Sequence, residues 1–169
     1  LMEYNNPSEI VKNLSFGNSS KLINVAKLLL MLFATLVTIL LLMIITFRWI
    51  NPPTTAVIFS ERQNIKGSFI VDWTPIEALG NNIALAIVAS EDSNFCRHHG
   101  FDISEILKVR TKGSARGAST ISQQVAKNLF LWRKRSWIRK GAEAFITVLI
   151  ELFWPKERIL EVYLNIAET

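Results

Sequence analysis

The run from Leu28 to Phe47 holds twenty consecutive residues without a charge, and no other feature limits the fold as strongly. At about 1.5 Å of rise per residue it covers roughly 30 Å, the thickness of a hydrocarbon core, where a single helix satisfies its own backbone. The expectation is one transmembrane helix over residues 22–47. Its N-terminal side carries Lys12, Lys21 and Lys27, whereas Arg48 is followed by no Lys or Arg until Arg62. The positive-inside rule then keeps the N-terminus in the cytoplasm and puts everything after residue 50 outside. The run is too long for a signal-peptide core and no small-residue cleavage pattern follows it, which reads as an uncleaved anchor.

Of the 169 residues, the anchor leaves enough for one domain of ordinary size. The chain divides into a polar, disordered tail (1–21), the anchor (22–47), a linker (48–73) and a domain (74–169). The hydrophobic share of 50% and mean hydropathy of +0.27 are high for a soluble chain, and much of the excess is the anchor. Asn51-Pro52-Pro53-Thr54-Thr55 reads as a breaker-rich exit, and Ala56–Phe59 as a short extended segment. The single cysteine, Cys96, excludes an internal disulfide; beside Phe95 it reads as a packed thiol.

Within the domain, Thr74-Pro75-Ile76-Glu77 has the composition of a helix start, with Thr74 as N-cap, and the helix ends near Gly80. Ile83–Ala89 is apolar on every side and reads as a buried helix. It delivers Glu91 and Asp92 at its C-terminal end, where the helix dipole disfavours anions. Two readings stay open there. Either these are solvated acids at a helix stop, or they mark a functional site, because a carboxylate beside a buried helix end and a like charge is a stronger base than a solvated one. The His98-His99 pair invites a metal, but no further ligands stand at suitable spacing, and no metal site is expected. Asp102-Ile103-Ser104-Glu105 is a second capping-box pattern.

From Lys108 to Lys140 there are ten basic residues and no Asp or Glu. Such a field attracts polyanions, phosphorylated ligands or anionic headgroups, while an extracytoplasmic domain argues against nucleic acid. Inside this stretch, Gly117 loosens the backbone and Ser119 is a candidate N-cap. Ile121, Val125 and Leu129 form an apolar face, with Gln123 and Lys127 pointing the other way. That polar face is suited to a sugar phosphate and equally to plain solvent. Ser136 is a cap for a helix whose core is expected at Ile138, Ala142, Phe145, Leu149 and Leu152, with Arg139 and Glu143 four apart on another face. The last helix starts near Pro155, carries Lys156 in its first turn and turns Ile159, Leu160, Tyr163 and Leu164 inward. It reaches Thr169 without a stop signal, which reads as a chain cut short.

Four of these stretches together resemble the peptidoglycan glycosyltransferases, most of all the monofunctional biosynthetic transglycosylases of Gram-negative bacteria. Glu91, Asp92, Phe95, His98 and Gly100 match E-D-x-x-F-x-x-H-x-G; Gly117 to Asn128 match G-x-S-T-I-[ST]-Q-Q-x-x-K-N. Arg139 to Glu143 match R-K-x-x-E, and Lys156 to Asn165 match K-x-x-I-L-x-x-Y-L-N. The resemblance implies a mainly α, lysozyme-like domain of two lobes around a cleft opening toward the membrane. It implies an enzyme of the inner membrane, its catalytic domain periplasmic, that polymerises lipid II into β-1,4 glycan with inversion and release of undecaprenyl pyrophosphate.

By the same resemblance Glu91 is the general base, and Glu143 is a second catalytic glutamate that positions the sugar or a basic partner. Lys127 and Arg135 hold the donor pyrophosphate, Arg139 and Lys140 extend that basic wall, and Ser119, Thr120, Gln123, Gln124 and Asn128 shape the donor site. His98 orders its loop. The resemblance requires no cofactor, although Mg²⁺ at the pyrophosphate is compatible with it. Its partners are lipid II, the growing strand, membrane lipids and cell-wall synthesis or division proteins. Family members continue past the Asn165 region with further helices, so the expected domain is incomplete at its C-terminus. Two rivals are a glycan-cleaving lysozyme-like enzyme, which needs no cationic wall, and a non-catalytic binder of anionic lipid or glycan, which does not need Glu91.

Overall fold

The computed structural model describes residues 7–56, 58, 73–112 and 118–167, and every regular element among them is a helix. In chain order these are α1 (Pro7–Phe47), α2 (Ile76–Leu79), α3 (Asn81–Glu91), α4 (Ile103–Lys112), α5 (Ile121–Phe130), α6 (Trp137–Phe153) and α7 (Lys156–Ile166). Arg116, Gly117, Val57 and the 59–72 stretch lie outside the described residues. The chain divides into two compact units, Leu1–Met43 and Ile44–Thr169.

One stretch of α1 fits the expected anchor by length and composition: Lys21–Phe47 is long and apolar enough to cross a membrane. Most of its large apolar side chains from Leu22 to Leu42 are exposed along the helix, as a lipid-facing surface requires. Thr35 and Thr38 donate their hydroxyls to the carbonyls of Met31 and Ala34, each at 2.9 Å, so neither leaves a polar group unmet in an apolar medium. The tail departs from expectation, because α1 already begins at Pro7.

The second unit is built around α5, which packs against both α6 and α7. Ile121, Val125, Ala126 and Leu129 of α5 meet Ile146 and Ile150 of α6 and Ile159, Val162 and Ile166 of α7 in the buried core. Two sequence expectations fail here. Ile138, Phe145 and Leu152 of α6 are 80%, 51% and 71% exposed, while Arg139, Glu143, Ile146, Thr147 and Ile150 face inward. α6 is apolar around most of its circumference, so periodicity could not choose a face. The one that packs is the one whose charges neutralise each other.

Nor is α3 buried: none of its side chains from Asn82 to Glu91 is buried, and Ile83 and Leu85 are 50% and 66% exposed. Its main packing partner is only the single turn of α2.

Smaller differences have local causes. α2 starts after Pro75, with no side-chain cap. Thr74 instead exchanges two hydrogen bonds with the Asn165 amide, its N–H donating to Oδ1 at 2.8 Å and its carbonyl accepting from Nδ2 at 2.9 Å. Ala56 and Ile58 are helical rather than extended, the Ile58 N–H donating to Thr55 Oγ1 at 3.0 Å. Cys96 is exposed rather than packed. α7 stops at Ile166, with Ala167 already in extended backbone.

Candidate active site

Asp92 joins the end of α3 to the start of α5. It is 6% exposed and its carboxylate accepts three hydrogen bonds. The Ile121 N–H at the first turn of α5 donates at 3.0 Å, and His98 Nε2 lies 2.9 and 3.0 Å from the two oxygens. A carboxylate on an orphan N–H of a helix start is favoured by the helix dipole. It also fixes the proton of His98 on Nε2. His98 therefore orders the loop by bonding to Asp92. Sequence reading gave Asp92 no separate role; its signal was its place directly after Glu91 and six residues before His98.

The α5 start is capped by Thr120, one residue later than expected at Ser119. Thr120 and Gln123 form a reciprocal capping box, the Gln123 N–H donating to Thr120 Oγ1 at 3.2 Å and the Thr120 N–H to Gln123 Oε1 at 3.1 Å. Thr120 Oγ1 also donates to the Gly100 carbonyl at 2.7 Å. Gly100 is required there, since φ is +90° and a Cβ would lie 2.8 Å from Thr147 Cγ2. Asp102 caps α4 through the Glu105 N–H at 2.9 Å. Hydrogen bonds from Ser104 and Asn94, that backbone N–H and the nearby His98 hold its carboxyl at about 2, against the opposing effect of burial.

This scaffold leaves Glu91 exposed, its Oε2 accepting from Gln124 Nε2 at 3.0 Å. A small polar cavity of about 110 Å³ lies beside it, lined by Asp92, Asp102, Ser119 and Thr120 among others. Tyr163 lies close enough to sense Glu91: burial, and then the Glu91 charge, raise its hydroxyl above the ordinary value. Beneath the loop, Lys156 lies 4.4 Å above the Phe95 ring and pairs with Glu151 at 2.8 Å, and Glu151 also accepts from the buried Ser122. These contacts give the cation in the first turn of α7 its partners.

On the other side of Gln124 a larger cavity, about 420 Å³, is lined by Ser119, Gln123, Gln124, Lys127, Arg133, Arg135, Arg139, Lys140 and Glu143. Eight of the eleven expected site residues thus line one cavity, and Gln124 connects it to a ninth, Glu91. Thr120 and Asn128 do not line it; both are buried, Asn128 with its Oδ1 unpartnered among the described residues.

Inside the cavity the cations differ. Glu143, 2% exposed, accepts from Arg139 Nη1 at 2.9 Å and from Lys140 Nζ, so these two cations are already committed. Lys127 and Arg135 make no ion pair among the described residues and remain available to an anion. Among the described residues Glu143 is the only carboxylate in the lining. A divalent cation finds no uncommitted carboxylate among them, so these residues do not fit a resident Mg²⁺.

Residues 61–169 match the family described as Transglycosylase. The chain is 49% identical over 137 residues to a biosynthetic peptidoglycan transglycosylase of Pseudomonas putida (strain W619), a match covering 76% of this chain and 58% of the relative. It is 47% identical over 156 residues to that of Stutzerimonas stutzeri, covering 87% and 63%. Against that of Chromohalobacter salexigens it is 63% identical over 100 residues, covering 57% and 43%. The chain thus spans less than two thirds of the length of each of these relatives. With more than half of its residues inside the family match, the chain belongs to the transglycosylase family.

Proposed function

We propose that the protein is a peptidoglycan glycosyltransferase that polymerises lipid II, with Glu91 as general base and the basic cavity as the seat of the donor pyrophosphate. The observation that carries this reading is Gln124, whose amide donates to Glu91 while its side of α5 lines a cavity holding two uncommitted cations. A base and a leaving-group site then lie on either side of one residue. Glu91 takes the proton from the 4-hydroxyl of the acceptor sugar as that oxygen attacks C1 of the donor. The C1–O bond to the pyrophosphate breaks on the opposite face, which inverts C1. Lys127 and Arg135 stabilise the charge that collects on the leaving undecaprenyl pyrophosphate. Glu143 fixes Arg139 and Lys140 in the wall rather than reacting itself.

The lysozyme-like rival needs an acid poised over a sugar leaving group, and the cations near Glu91 suit an anionic one instead. The test is incubation of the protein with lipid II in vesicles, followed by separation of glycan polymer from monomer. Polymer is expected, with Lys127→Gln and Arg135→Gln each lowering turnover roughly 10–100-fold, the worth of a charge-assisted hydrogen bond. Cleavage of preformed glycan without polymerisation would favour the rival, and binding without turnover the non-catalytic reading.

The periplasmic placement is part of the proposal. Lys21 and Lys27 flank the start of the span, and Cys96, exposed and the only cysteine, reports the side of the second unit. A membrane-impermeant thiol reagent is expected to label it before the cytoplasmic membrane is breached, and labelling only afterwards reverses the orientation.

A further inference from the structure

The C-terminal end of α1 has an unusual cap. A helix leaves its last four carbonyls without intrahelical partners, and α1 has no basic residue of its own in its last turn. All four carbonyls are nevertheless satisfied. Ile44 O accepts from Trp154 Nε1 at 2.7 Å, Ile45 O from the Arg48 N–H at 3.3 Å, and Thr46 O from the N–H groups of Trp49 and Ile50 at 3.1 and 3.0 Å. Phe47 O accepts from Arg158 Nε and Nη2 at 3.0 and 2.9 Å.

Arg158 goes further. It is 9% exposed, and its five N–H donors match five hydrogen bonds: the two on Phe47 O, one on Ile50 O at 3.1 Å, one on Asn51 Oδ1 at 2.9 Å and one on Glu161 at 2.7 Å. Four of the five fall on residues 47–51. The guanidinium also stacks 5.4 Å from the Trp73 ring centre. In return, Arg48 Nη1 donates to the carbonyl of Phe153, the last residue of α6, and Phe47 stacks on Phe130 at 6.2 Å. A buried arginine with every donor used is costly to move, because any displacement leaves charge unmet. Its planar fork defines one geometry, which lysine cannot reproduce.

We propose that Arg158 is a positioning residue that holds the exit of the membrane helix, residues 44–51, at a fixed place on α7, the helix whose Lys156 lies under Phe95 of the Glu91 loop. Two positions on one helix, 156 and 158, then tie the site to the point where the chain leaves α1. A substrate delivered from a membrane meets the carboxylate at a defined distance from that point. In its functional part this rests on the lipid II reading; in its geometry it does not.

The experiment measures the geometry first. Spin labels on the native Cys96 and on Ile50→Cys, both exposed sites, report the distance between loop and exit in full-length protein reconstituted in vesicles. One narrow distance is expected. Arg158→Met should broaden the distribution at least about twofold as the uncapped helix end opens, and Arg158→Lys, which keeps the charge and loses the fork, should broaden it less. If Arg158→Met does not fold, Arg158→Lys carries the test. An unchanged width in the folded variant overturns the proposal. Polymerisation by the same samples separates the two claims. A wild type that makes no glycan sinks the lipid II reading and leaves the latch to the distances. A broadened Arg158→Lys with wild-type kcat in vesicles shows that the latch has no role in the reaction and overturns the functional part.

Discussion

Helices α3 and α5 flank the candidate base, and their burial is the reverse of their composition. α3, with Ile83, Ala84, Leu85, Ala86, Ile87 and Val88, has no buried side chain among its described residues. α5 carries Ser122, Gln123, Gln124, Lys127 and Asn128, yet seven of its ten residues are buried, Ser122 completely. The difference lies in the neighbours. α5 is held between α6 and α7, and several of its polar groups have partners: Gln123 with Thr120 in the capping box, Ser122 on Glu151 of α6, Gln124 on Glu91 of α3. A polar group that is hydrogen-bonded costs little to bury. α3 packs chiefly on one turn of helix, and hydrophobicity alone does not supply a partner. α3 therefore matters through its last residue, whereas α5 matters along its whole length.

That contrast can be broken in several places, and the largest effect is chemical. Glu91→Gln keeps the shape of the residue that ends α3 and removes its basicity, so lipid II polymerisation should fall about 10²–10⁴-fold with the melting temperature unchanged. Wild-type turnover would remove Glu91 from the role of base. Next, Ile121→Ala deletes a completely buried side chain at the first turn of α5 and should cost about 2–5 kcal/mol, read from denaturant unfolding of the second unit. Thr120→Ala removes the hydroxyl of the capping box and should cost about 1 kcal/mol. Because the same hydroxyl bonds to Gly100 O, a loss no larger than that of an exposed threonine would show that the cap is not what orders the α5 start.

Acid sharpens the same point at the neighbouring cap. The Asp102 carboxyl is lowered from 3.8 to about 2 in the folded protein, so its contribution is complete above pH 3.8 and is lost as pH falls from there through 2. Asp102→Asn should flatten the acid limb of a stability–pH curve in that window and leave neutral-pH curvature unchanged. The smallest effect belongs to α3: Leu85→Ala, at a position 66% exposed, should change stability by no more than about 0.5 kcal/mol. A cost comparable to that of Ile121→Ala would mean that α3 packs as tightly as α5.

Much of the candidate site was legible because its residue types stand at fixed spacing. Glu91 at a helix end, the acid-free basic stretch and the amides of α5 could all be named from the chain, and most of them line one cavity. The pairing of Arg139 with Glu143 was legible too, since the two stand four apart on one helix. What could not be read is that this pair lies on the buried face of α6. The same limit hid Arg158, whose partners other than Glu161 lie more than one hundred positions earlier.

The sequence by itself determined an apolar helix long enough to span a membrane, the helical class and the helix starts at Asp102, Ser136 and Pro155. These depend on the properties of a single segment: uninterrupted apolar length, capping residues, and proline at a first turn. Tertiary structure alone decided which faces are buried. Ile138, Phe145 and Leu152 recur at helical spacing as faithfully as Ile146 and Ile150 do, and α3 is more apolar than α5. Periodicity shows that a helix has an apolar face, but burial is a property of a pair of surfaces, and the second surface is supplied by distant residues.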